Sequence, residues 1–218
     1  MSGKRAGNWF AGFVVGLALT GCNGGSPSSI PVPEVEIPPE ARIPPRFTGP
    51  SRTRLAAGET IPELRCVGWL NGEPRPFAPN GPKLHVVDVW SHWCPECHKF
   101  APALAELKRK YADRGVQFLS VTDMPKAIAE RYNQVGGIDW PSGYGLAVEL
   151  IDELGAVNKG MAEMTRGYNI GPTIYVVGPD RKVVGSDESG RWRHMPRAEI
   201  IAKLEKVLDA ALDASTGK

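Results

Sequence analysis

One stretch constrains this chain more than any other: Leu84-His85-Val86-Val87-Asp88-Val89-Trp90, followed shortly by Cys94-Pro95-Glu96-Cys97. An almost continuous apolar run of that length reads as a strand buried on both faces, as in sheets covered by helices. Beyond it, Phe100, Leu104, Leu107 and Tyr111 recur at helical spacing, and Gly115 supplies a stop. The cysteine pair therefore sits where a buried strand passes into a helix. Free amide groups and the positive end of the helix dipole favour a thiolate at Cys94. A thiolate, not a thiol, attacks a disulfide. Cys97, three residues on and near the same helical face, is placed to resolve the mixed disulfide.

Around this unit the pattern alternates. Val116 to Val121 reads as a second buried strand and Pro125 to Gln134 as a helix. Leu150, Leu154, Val157, Met161 and Met164 mark a further helix, interrupted near Asn158 and Gly160. Thr173 to Val177 and Lys182 to Ser186 flank Gly178-Pro179-Asp180 as a hairpin, and Pro196 opens a closing helix through Leu208. Upstream, Asn71-Gly72 between Cys66–Leu70 and Arg75–Phe77 predicts another hairpin. The expected fold is α/β: a mixed central sheet flanked by helices, with an N-terminal β-hairpin and a helical insertion over 145–166.

Two other chemistries fit the cysteines on spacing alone. A Cys-x-x-Cys can be half of a zinc site, but a structural site wants four ligands, and the spare candidates are only Cys66, His92 and His98. Cys94-Pro95-Glu96-Cys97-His98 also matches the haem c attachment pattern, with His98 as axial ligand, although a Val-rich strand is the wrong context. The expectation is no metal and no cofactor. Asp88 stands out because a carboxylate inside an apolar strand is costly to bury and tends to stay protonated. Such a group suits proton transfer to and from a buried thiol; the plainer account is an Asp hydrogen-bonded at a strand end. Cys66 reads as a small buried apolar residue or, more sharply, as an additional redox partner.

The segment Val87 to Pro102 resembles the active site of thioredoxin: Asp88 six positions before the first cysteine, Trp93 directly before it, Pro102 five after the second. Gly171-Pro172-Thr173 before an apolar strand resembles the cis-proline loop of that family. With the features upstream, the chain is similar to the membrane-tethered thioredoxin-like proteins of the TlpA/ResA group. The resemblance implies a thioredoxin-like fold and a thiol–disulfide oxidoreductase. Cys94 would attack, Cys97 resolve and Asp88 manage the proton, while Trp93, Gly171 and Pro172 contact substrate. It also implies protein disulfides as substrates and a membrane thiol as electron donor. Glu96, a negative charge near Cys94, leans the pair toward reductant. A covalent haem carrier and a redox-silent binding module of the same fold are the alternatives. The chain departs from the group at Asp88, often neutral there, and at Phe100, often Glu. The connection over 145–166 is longer than the group's.

The N-terminus points outside the cytoplasm. Lys4 and Arg5 precede the apolar run Trp9 to Leu19, the layout of an export signal and too short for a membrane span. Leu19-Thr20-Gly21-Cys22 resembles the lipobox of bacterial lipoproteins, which implies cleavage after residue 21 and lipidation of Cys22. Prolines at 27, 31, 33, 38, 39, 44, 45 and 50 make 22–57 an extended tether. The expected domain is 58–213, with a short tail over 214–218. The formal charge of +2 is accounted for by Lys4 and Arg5, leaving a balanced remainder without the basic face that nucleic acid requires.

Overall fold

The computed structural model describes residues 53–157, 170–186 and 195–216. The signal, Cys22, the tether up to residue 52, and residues 158–166 of the expected insertion, Met161 and Met164 among them, lie outside the described residues.

Strand β2 (Leu84–Val89) is buried at every position. It pairs in parallel with β3 (Val116–Val121) and antiparallel with β5 (Thr173–Val177), so both edges of its backbone are satisfied within the sheet. The full order is β1-β4-β3-β2-β5-β6, with β1 spanning Gly68–Leu70, β4 Ser142–Tyr144 and β6 Val183–Ser186. Helices α1 (Pro95–Tyr111), α2 (Lys126–Gly136), α3 (Val148–Glu153) and α4 (Arg197–Thr216) complete the described elements.

Alternation along β2 divides the core. Leu84, Val86 and Trp90 join Phe100, Leu104, Ile128, Tyr132 and Leu204 in a cluster under α1, α2 and α4. Val87 and Val89 join Leu119, Val121, Tyr175 and, from α3, Leu150 and Ile151 on the opposite face. Asp88 shares the parity of Val86 and Trp90 and so points toward the α1–α2 side.

The hairpin after Asn71-Gly72 does not form. Both residues adopt the positive φ that such a turn needs (58° and 89°). Yet β1 pairs with β4, register Gly68 to Tyr144. The return leg carries Pro74 and Pro76, which lack ladder donors. Arg75 is bound instead by side chains: its N–H donates to Gln117 Oε1 at 2.9 Å and its carbonyl accepts from His85 Nε2 at 3.3 Å. Strand β4, a short Ser-Gly-Tyr, gave no alternating signal. Its middle residue must be glycine, because a Cβ at Gly143 would collide with Cys66 Sγ and lie 3.0 Å from the Trp69 ring. Helix α3 is brief, and Val157 forms a bridge to Ile170 instead of continuing a helix. The second hairpin forms as β5–β6. Packing also reaches N-terminally past Gly58: Arg54 Nη2 donates to Pro172 O at 2.7 Å and Leu55 N to the Tyr175 hydroxyl at 3.2 Å.

His85 is wholly buried and stacked on Phe77, with ring centroids 3.9 Å apart. Burial lowers its pKa from 6.5 to about 4. The unfolded chain therefore binds this proton more readily, and stability is lost as pH falls through 6.5 toward 4. Urea unfolding should show His85 alone removing about 2 kcal/mol between pH 7 and pH 5. His85→Gln is expected to lose that much less than the parent over the same interval.

Candidate active site

Cys94 occupies the N-cap of α1, with extended backbone (φ −107°, ψ 91°) and Pro95 opening the helix. The Cys97 amide donates to Cys94 Sγ at 3.1 Å, so the sulfur takes the place a Ser or Asp oxygen commonly fills at a cap. The two sulfurs are joined as a disulfide with Cα atoms 5.3 Å apart. Both cysteines are almost fully covered, at 3% and 1% exposure, and belong to the apolar cluster beneath α1. Glu96 is held by Lys99 at 2.6 Å. That neighbouring cation offsets its charge, so Glu96 no longer argues for a reductant. The helix runs on through Pro102, which removes the donor that would bond the His98 carbonyl.

Asp88 is 3% exposed and faces a closed polar network. Ser120, its register partner on β3, donates to Oδ2 at 3.2 Å, and the Tyr132 hydroxyl lies 3.3 Å from the same oxygen. Ser120 Oγ itself accepts from Trp140 Nε1 at 3.0 Å. Tyr132 also lies 3.3 Å from the Cys97 carbonyl, which ties the carboxyl to the cysteine turn. Burial raises the Asp88 pKa from 3.8 to about 7, with the two hydroxyls pulling the other way. The same burial, then the Asp88 charge, holds the Tyr132 phenol well above its ordinary value.

Aromatic rings pack the region. Trp90 stacks on Tyr132 with centroids 3.6 Å apart and planes 11° from parallel. His98 stands edge-on to Tyr132 and to His92. Its Nε2 bonds the His92 carbonyl at 3.2 Å. Trp93 is half-buried beside His92, its Nε1 without a hydrogen-bond partner among the described residues. Asp123, following β3, is also pushed up, to about 6, mainly by burial.

Gly171 and Pro172 lie at the same sheet end, because Thr173 registers with Val89 four residues before Trp93. The expected cis bond is absent: among the described residues every peptide bond is trans. The bond before Pro172 takes the trans form that X–Pro bonds ordinarily prefer. The Gly171 N–H donates to Ala156 O at 3.2 Å, its carbonyl accepts from Thr173 Oγ1 at 3.0 Å, and the Pro172 carbonyl accepts from Arg54. The backbone groups expected to meet a substrate are already engaged. Cys66 is half-buried, and burial pushes its thiol up to about 12, which suppresses thiolate chemistry there. Among the described residues no three His, Cys, Asp or Glu side chains converge as a metal site.

The structure brings Asp88 and both cysteines, named from the sequence, together with Ser120, Tyr132 and Trp140, which the sequence did not single out. Ser120 carried a signal, a polar residue inside an apolar strand. Tyr132 did not, since an aromatic on a helix face reads as core.

The AhpC/TSA family model matches residues 75–186. Thiol-disulfide oxidoreductase ResA of Geobacillus kaustophilus is 25% identical over 122 residues, covering 56% of this chain and 62% of that protein. ResA of Geobacillus thermodenitrificans is 24% identical over 135 residues, covering 61% and 69%. The chain thus spans less than two thirds of the first of these relatives. Among solved structures, a thioredoxin-like protein in its oxidised form aligns with TM-score 0.52 at 21% identity, covering 72% of this chain and 97% of that one. Peroxidoxin BcpB from Mycobacterium tuberculosis aligns at 0.51 and 17%, covering 72% and 96%. The fold is thioredoxin-like.

Asp88 binds its proton more tightly folded than unfolded, so its contribution to stability is complete below pH 3.8 and is lost as pH rises through about 7. Asp88→Asn should be the more stable protein at pH 8 by about 2–4 kcal/mol in denaturant titrations, with the gap closing toward pH 4.

Proposed function

The chain belongs to the AhpC/TSA family, and from that premise we propose that it is an exported, membrane-tethered thiol–disulfide oxidoreductase that reduces protein disulfides. One observation carries the reading: a bonded Cys94–Cys97 pair at the N-cap of α1, linked through Tyr132 to a buried carboxyl. In the reduced protein the Cys94 thiolate attacks a substrate disulfide, forming a mixed disulfide and releasing one substrate thiolate. Cys97 passes its proton to Asp88 and attacks Cys94 Sγ. That step re-forms the Cys94–Cys97 bond and frees the second substrate sulfur as a thiolate. A membrane thiol donor then returns two electrons to the pair. Trp93 and the Gly171-Pro172 loop flank the substrate, the loop opening its internal bonds to do so.

The reductant direction is supported by burial. Sulfurs set in an apolar cluster disfavour thiolates, which destabilises the reduced pair and makes it the better electron donor. A haem carrier is disfavoured because both sulfurs are used in bonding each other, and His98 Nε2 by the His92 carbonyl. Tethering rests on the sequence at Cys22. Among the described residues no helix is long and apolar enough to cross a membrane.

Cys97→Ser should accumulate a mixed disulfide with substrate on non-reducing gels, and Cys94→Ser should trap nothing and lose all disulfide reduction. Equal trapping by both variants would sink the assignment of roles. Equilibration with a thiol buffer should give a potential near about −270 mV; a value near about −120 mV would make the protein an oxidant. Cys22→Ala is expected to move the protein from the membrane fraction to the soluble fraction, and retention on membranes would count against the lipid anchor.

A further inference from the structure

Tyr132 has one hydroxyl proton and two acceptors, Asp88 Oδ2 and the Cys97 carbonyl, each at 3.3 Å. Its position is fixed by stacking on Trp90, and the residue is 2% exposed, so no solvent competes for that proton. Ser120 has one proton, which goes to Asp88, so it has none to offer the Cys97 side. An ionised Asp88 accepts from both hydroxyls. A neutral Asp88 carries a proton of its own, and the Tyr132 oxygen is the acceptor beside it. Tyr132 must then turn its proton elsewhere, and the Cys97 carbonyl is the acceptor within reach.

We propose that Tyr132 is a positioning residue that relays the protonation state of Asp88 to the Cys97 carbonyl, donating to Asp88 when that carboxyl is ionised and to Cys97 when it is neutral. This rests on the thiol–disulfide reading given above. In that reaction Asp88 becomes neutral at the moment Cys97 becomes a thiolate. The relayed hydrogen bond then neutralises part of the negative end of the carbonyl on the same residue as the new charge, which favours the thiolate as it forms. No proton leaves the network: the one from the Cys97 thiol stays on Asp88, and the Tyr132 proton only changes acceptor. The other titratable groups packed here are His98, edge-on to Tyr132, and His92 beyond it. The β5 neighbour of Asp88 is the apolar Ile174.

Carbon-13 spectroscopy of the full oxidised protein tests the relay directly. As pH crosses the Asp88 midpoint, read from its side-chain carboxyl, the Cys97 carbonyl resonance should shift with the same midpoint. The ring resonances of His92 and His98 separate their own titrations from it. In Tyr132→Phe, which keeps the stacked ring, the Cys97 carbonyl should stop tracking Asp88. The Asp88 midpoint should also rise by about one pH unit, because the ionised form has lost a donor. Ser120→Ala should raise the Asp88 midpoint while leaving the Cys97 carbonyl tracking it. A wild-type carbonyl that stays flat through the Asp88 titration overturns the relay, as does tracking that survives in Tyr132→Phe. The wild-type measurement decides even if the variant does not fold. Disulfide reduction by the wild type is assayed beside it. Its absence removes the proposed function, whereas reduction with a flat carbonyl removes only the relay. Where reduction is present, the pH profile of Tyr132→Phe should move upward with Asp88.

Discussion

The burial of β2 on both faces is the constraint from which the rest follows. A strand without solvent on either side needs a partner on each edge and an apolar layer above and below. β3, β5 and the two core clusters supply these. In that setting a single carboxyl becomes the most consequential side chain in the sheet. Asp88 is buried, so it is either neutral or supported by donors, and among the described residues those donors are two hydroxyls and not a cation. Hydroxyls moderate the cost of ionisation without abolishing it. The carboxyl is thereby left able to gain and lose a proton near neutral pH, the property a thiol exchange site requires.

The same strand delivers the cysteines. Where β2 ends, the chain turns through Ser91 to Trp93 and starts α1 on Cys94, so the sulfur inherits the amide field of a helix terminus. Two influences then oppose each other at Cys94. The amide of Cys97 favours a thiolate, whereas the apolar cluster disfavours it. At the surface, Lys99 pairs with Glu96 and offsets part of its charge. Burial and backbone are thus the two influences that the structure sets directly on the pair.

Much of this architecture is legible in the sequence. The apolar run, the helical spacing behind Cys97 and the turn chemistry at Gly178-Pro179-Asp180 each encode local geometry, and β2, α1 and the β5–β6 hairpin followed. The failures share a cause: they depend on partners far along the chain. Asn71-Gly72 bends as its φ preferences require, but whether a turn becomes a hairpin depends on its second leg, and prolines at 74 and 76 forbade that pairing. β4 exists because β1 and β3 leave space for it, not because Ser-Gly-Tyr favours a strand. Tyr132 was silent for the same reason. Its importance lies in which carboxyl and which carbonyl meet at its oxygen, and neither is a neighbour in sequence.

The contacts made by Arg54 and Leu55 have a mechanical meaning. Among the described residues, the N-terminal stretch is fastened to the Pro172 carbonyl, to the Tyr175 hydroxyl and, through the Leu55 carbonyl, to Ser186. Tension arriving from the N-terminal side is borne by these bonds before it reaches the paired strands. The first element to feel such a load is the loop beside the cysteine turn. In the function proposed above, the loop that holds the incoming chain is also the loop that flanks the substrate.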